Sequence, residues 1–143
     1  EGAMIRLVLP LPPSKNRLHR QARKWARDKE GKAYSYVGRK NSPVYNAYLE
    51  AAGWEVCAQT TAEQREELQR IAKERHLAVR AFVRFPDDAR RRDVANIVDG
   101  LLDAIKGPLG VDAVHFWRVS AEGVTDGPPC VVEIEPMEDR SER

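Results

Sequence analysis

The chain has 143 residues, 42% apolar and 32% charged, enough for one domain (1–143) with its own core at roughly 100–200 residues per domain. Its two cysteines, Cys57 and Cys130, exclude a disulfide scaffold and a zinc finger, and the lack of any run of about 18 apolar residues excludes a membrane-spanning helix. The net charge is +2, but Lys15 to Lys40 holds ten basic residues against Asp28 and Glu30, so this stretch carries +8 and the remainder −6.

Ile5 to Leu9 reads as a strand, preceded by residues 1–3, which resemble the remnant of a purification tag. Prolines 10, 12 and 13 forbid a helix or central strand in PLPPSKNR. The basic stretch 15–42 is expected to be a long, partly mobile loop. A dense basic block marks either a polyanion contact or a solvated loop.

Asn41 or Ser42 can cap a helix that Pro43 starts and Gln59 ends. Val44, Ala47, Tyr48, Ala51, Val56 and Cys57 roughly follow helical spacing, with Trp54 expected in the core. Thr61 and Gln64 have capping-box form for a second, mostly surface helix to Glu74. Residues 76–85 alternate as a strand, with Leu77, Val79, Ala81, Val83 and Phe85 on one face. PDDARRR is a loop, 93–106 an amphipathic helix ended by GPLG, 113–122 a strand, 123–129 a turn and 130–136 a last strand. The tail 137–143 is expected to be flexible. This order implies an α+β fold with a small mixed or antiparallel sheet packed with helices.

At about 100° per residue from Asp93, Val94, Ile97, Val98, Leu101 and Ile105 fall on one side of the third helix. Asp93, Asn96, Asp99 and Asp103 fall on the other, and Asp112 follows just beyond. A solvated acidic face is the plain explanation, and an N-cap would account for Asp93. Asp99 and Asp103, further in, have no such role, since aspartate is a mediocre helix former. Crowded carboxylates favour a shared cation, and hard oxygen ligands without His or Cys select Mg²⁺ or Mn²⁺. Arg90, Arg91 and Arg92 directly precede the cluster. Cations beside an acidic metal site are what phosphodiester chemistry needs.

FPDDARRRDVANIVDGLLDAI resembles the central motif of RusA-type Holliday junction resolvases, and LPLPPSKNR, after a first strand, resembles that family's amino-terminal signature. The resemblance runs from about Ile5 to Pro136. It implies a small homodimeric endonuclease that binds four-way DNA junctions and makes paired symmetric nicks with Mg²⁺ or Mn²⁺. It places the family's first motif aspartate on Asp93, a later one on Asp112, the motif asparagine on Asn96, and the amino-terminal Asn and Arg on Asn16 and Arg17. The compartment expected is the cytoplasm of a bacterial or phage-infected cell, with no membrane partner.

Two departures stand out. Where the family has Asp-x-Asp-Asn, this chain has Asp93-Val94-Ala95-Asn96, and Asp99 stands where a catalytic lysine is common. Three explanations compete: a divergent branch in which Asp99 or Asp103 completes the metal site, an engineered Ala95, and a junction binder that no longer cleaves. Lys15, Arg17, Arg20, Arg23, Lys24 and Arg27 are expected on phosphates, with Arg90 to Arg92 positioning the scissile phosphate. Trp25 either stacks on an unpaired base or packs locally to order its loop. Of Phe116 and Trp117, one is core and the other faces outward. His115 is expected to be structural, His19 to add charge, and both cysteines to be small buried residues.

Overall fold

Ile5–Leu9 forms strand β1 with alternating burial, its Ile5, Leu7 and Leu9 side chains pointing into the core. The computed structural model describes residues 5–87 and 93–138. Beyond β1 come a short 3-10 turn (Lys15–Arg17), β2 (His19–Arg27), β3 (Ala33–Asn41), α1 (Pro43–Gln59), α2 (Ala62–Arg75) and β4 (Leu77–Val83). A second 3-10 turn (Val94–Ile97) leads into α3 (Val98–Leu109), a third (Ala113–His115) into β5 (Phe116–Gly123), and β6 (Cys130–Pro136) closes the order.

Four strands make one mixed sheet in the order β1-β6-β4-β5, antiparallel except for the β4–β5 pair. A parallel pair needs a crossover connection, and α3 supplies it. Side chains alternate across each strand, so Leu7, Val79, Val83, Val132 and Ile134 share the covered face. They form one core with Val56 of α1, Leu68 and Ile71 of α2, and Leu101, Ile105 and Leu109 of α3. The architecture is α+β, as expected.

Helix boundaries follow local chemistry. The Ser42 hydroxyl accepts from Tyr45 N at 3.1 Å, with Pro43 in the first turn. Thr61 and Gln64 close a reciprocal capping box over the start of α2. Gly110 ends α3 at φ +71°, a left-handed conformation that favours glycine.

Four expectations are corrected. The stretch 15–42 is not a loop: β2 and β3 pair in unbroken antiparallel register from His19↔Asn41 to Arg27↔Ala33, a two-stranded ribbon apart from the main sheet. Its turn is tied by Asp28, whose Oδ1 accepts from Glu30 N at 3.0 Å and Lys32 N at 2.9 Å, with Gly31 at φ +82°. The third α-helix starts at Val98 rather than Asp93, because residues 94–97 wind as a 3-10 turn. The inner face of α1 is Tyr45, Tyr48, Ala52 and Val56, which leaves Trp54 exposed. Cys57 is exposed too, while Cys130 is buried and burial pushes its thiol up to about 11. Apolar residues fall on both the inner and the outer face of α1, so periodicity could not choose its inner face.

Candidate nucleic-acid and cation site

The amino-terminal signature folds against the acidic helix. After the prolines, Arg17 N donates to Ser14 O at 2.9 Å to close the first 3-10 turn, and Leu18 is buried next to it. Leu18 packs with Tyr45, Tyr48 and Ala52 of α1 and Ala104 of α3. Gly100 makes this approach possible. A Cβ there would stand 3.3 Å from Leu18 Cδ2 and 3.7 Å from the Pro13 carbonyl oxygen. The base of the ribbon is fastened at the same place: Ser42 N donates to Leu18 O at 2.9 Å, and the Ser42 hydroxyl donates to Arg17 O at 2.5 Å.

An open cavity of about 610 Å³ lies at this junction. Asp99 and Asp103, one helical turn apart on α3, line it. So do Lys15 of the 3-10 turn and His19 and Arg39 at the base of the ribbon. Lys15, His19 and Arg39 also line a neighbouring cavity of about 310 Å³, with Arg20 and Gln21. An acidic wall thus passes directly into a basic one.

Asp103 is held in place. Tyr45, buried, donates its hydroxyl hydrogen to Asp103 Oδ2, and Lys106 Nζ lies 3.1 Å from Asp103 Oδ1. Burial, reinforced by the hydrogen bond to the Asp103 carboxylate, raises the Tyr45 phenol well above the usual tyrosine range. The His19 ring meets Tyr45 edge-on, with centroids 5.8 Å apart. Asp99 is exposed in the first turn of α3, where the helix dipole favours a carboxylate.

The remaining sequence candidates among the described residues do not line this cavity, though Arg20 lines its neighbour. Asp93 caps the second 3-10 turn, its Oδ1 accepting from Ala95 N at 3.0 Å. Asp112 caps the third, its Oδ1 accepting from Val114 N at 3.3 Å, next to the cavity-lining Ala113. Asn96 is half-buried, its backbone N–H donating to Asp93 O at 3.0 Å. Arg17 is exposed, Arg23 donates to Ser35 Oγ at 2.7 Å, and the Lys24 stem lies over Gly38. Arg90, Arg91, Arg92 and the Asn16 side chain lie outside the described residues. Phe116 is buried, and Trp117 stacks on His76 with centroids 3.7 Å apart, while the His115 and His76 ring centroids are 5.7 Å apart.

Among the described residues no three His, Cys, Asp or Glu side chains form a group able to hold a metal ion. Asp99 and Asp103 nevertheless suit Mg²⁺, which is commonly bound by one or two carboxylates together with substrate phosphates rather than in an all-protein cage. Sequence reasoning missed Tyr45, held Arg39 only as a member of the basic stretch from Lys15 to Lys40, and gave His19 only a charge. A buried phenol needs a hydrogen-bond partner, and that was the available signal for Tyr45.

No family model matches the chain, and no curated protein matches it. Among the described residues no helix is long and apolar enough to cross a membrane.

Proposed function

We propose that the chain is a Mg²⁺- or Mn²⁺-dependent endonuclease that resolves branched DNA, four-way junctions above all, by paired nicks in the cytoplasm. One observation carries this reading: a single cavity joins the Asp99 and Asp103 carboxylates to Lys15, His19 and Arg39. In this reading Asp99 and Asp103 hold the cation. When bound, the ion supplies charge neutralisation on a phosphate oxygen and lowers the pKa of a water. Lys15 and Arg39 bind the phosphates on either side of the scissile one, and Arg20 continues the track onto the ribbon. Tyr45 and Lys106 keep the Asp103 carboxylate oriented. Asp93 and Asp112 set the two 3-10 turns that bracket α3.

A homodimer belongs to this reading, since a junction offers two equivalent strands to a two-fold enzyme. Its support is the outer face of α1, where Val44, Ala47, Ala51, Trp54 and Ala58, alternately three and four residues apart, are all exposed. That spacing is the seam of paired helices.

A second reading, a junction binder without cleavage, draws support from Ala95 in place of a carboxylate and from the capping roles of Asp93 and Asp112. A labelled four-way junction with Mg²⁺ and with Mn²⁺ separates the two. Paired nicks lost in Asp99→Asn and Asp103→Asn establish the nuclease. Tight binding without nicks, unchanged by Ala95→Asp, establishes the binder.

A further inference from the structure

The β2–β3 ribbon has two different outer faces, and neither is covered by the main sheet. Directly paired residues of an antiparallel ribbon share a face, and successive residues alternate. The register therefore puts Arg23, Trp25, Arg27, Val37 and Arg39 on one face, and Arg20, Lys24, Tyr34, Tyr36 and Lys40 on the other. Each face carries three cations and at least one aromatic ring. Trp25 is 69% exposed, Tyr34 47% and Tyr36 45%.

The ribbon's acidic residues, Asp28 and Glu30, sit only in its turn, where Asp28 is occupied by the Glu30 and Lys32 N–H groups. Away from the base, where Arg39 shares the cavity with Asp99 and Asp103, neither face of the paired strands carries an anion to offset its cations. A ribbon that reads one duplex from a groove needs one such face, with the other turned to solvent or to the protein. Here both faces combine phosphate-binding charge with rings that stack on bases, the combination used for strands whose bases are unpaired.

We propose that the ribbon is a wedge that sits between two DNA strands, one on each face, with Trp25 stacking on a base of one strand and Tyr34 or Tyr36 on a base of the other. The favoured substrate is then DNA with an opened centre rather than continuous duplex. The proposal rests on the DNA-binding reading of the site and goes beyond it by assigning the ribbon's two faces to separate strands.

Arg23 and Lys24 are adjacent and point to opposite faces, which gives a direct test on the full-length protein. Binding to a four-way junction with 2-aminopurine at its centre, and to a duplex of the same sequence, is measured across a salt series. Circular dichroism checks that each variant is folded. The wedge predicts a rise in 2-aminopurine fluorescence on binding. Arg23→Gln and Lys24→Gln should each lower the salt slope by about 0.7–0.9. Trp25→Ala and the double variant Tyr34→Ala, Tyr36→Ala should each weaken junction binding by about five-fold or more, the lower end of base stacking, with little change on duplex. Loss confined to one face, or equal loss on duplex, overturns the wedge and leaves DNA binding standing. Absence of binding to either DNA overturns both readings. Binding to phosphatidylserine vesicles instead, lost in Trp25→Ala, would assign the ribbon to an anionic membrane surface and overturn the wedge.

Discussion

The Tyr45 hydroxyl, on a ring that solvent scarcely reaches, donates a hydrogen bond to Oδ2 of Asp103, fifty-eight residues further along the chain. The bond joins α1 to α3 at the wall of the candidate site. It also makes the fold sensitive to alkali. Burial is the main cause that lifts the Tyr45 phenol above its ordinary value of 10.0, and burial does the same to Tyr48. The unfolded chain therefore loses these protons first. Stability should be fully present below about pH 10 and fall as the pH rises above it. Urea midpoints at pH 9, 10 and 11 should show a decline that is shallower in Tyr45→Phe. An equally steep decline in that variant would place the alkaline sensitivity elsewhere.

Asp99 and Asp103 are the paired donors of the cavity, so the cation should stabilise the native chain through them. At a concentration one hundred times its dissociation constant, Mn²⁺ is expected to add about 2.7 kcal/mol. Thermal unfolding with and without MnCl₂ reads this directly. Asp99→Asn and Asp103→Asn should each abolish the gain while Asp93→Asn, at a helix cap, retains most of it. A gain that survives both cavity variants would move the ion to another set of ligands.

Gln59 covers the free edge of β1. Its Oε1 accepts from Val8 N at 2.8 Å, and its Nε2 donates to Val8 O at 2.7 Å. The amide thus imitates a neighbouring strand at an edge that would otherwise pair with another chain. Gln59→Leu should cost about 1–3 kcal/mol, seen as a lower urea midpoint, and should increase light scattering on storage. No change in either would mean that water replaces the amide without loss.

The outer face of α1 makes a prediction about assembly. In a helix of seventeen residues the charged side chains are Glu50 and Glu55 alone, a depletion that marks buried interfaces. Light scattering coupled to gel filtration should give twice the chain mass for the protein and the single mass for Ala51→Arg and Trp54→Arg. A single mass for all three would remove α1 as the dimer surface.

How legible all this was in the sequence varied with how local the cause is. β1 and β6 have the bounds that alternation and flanking turns set, and the capping box at Thr61 and Gln64 starts α2 where the side chains dictate. These signals depend on hydrogen bonds a few residues apart. The ribbon was missed because strand alternation reports one buried face, and both of its faces are solvated. The start of α3 was missed because a 3-10 turn and an α-helix have nearly the same apolar spacing over four residues.

By itself, then, the sequence determined the α+β class, the bounds of β1 and β6, the inner face of β4, and the density of cations ahead of α1. It also marked the acidic positions of α3. Only the tertiary structure decided that Lys15, His19 and Arg39 meet Asp99 and Asp103 in one cavity, that Tyr45 and not Val44 faces inward, and that Asp93 and Asp112 each cap a 3-10 turn through one carboxylate oxygen. The reason is physical. Local propensity and periodicity record what a residue's near neighbours require, whereas a site is a meeting of distant segments. That meeting follows from packing, here from the space at Gly100 that admits Leu18 and from the buried phenol that needed a partner.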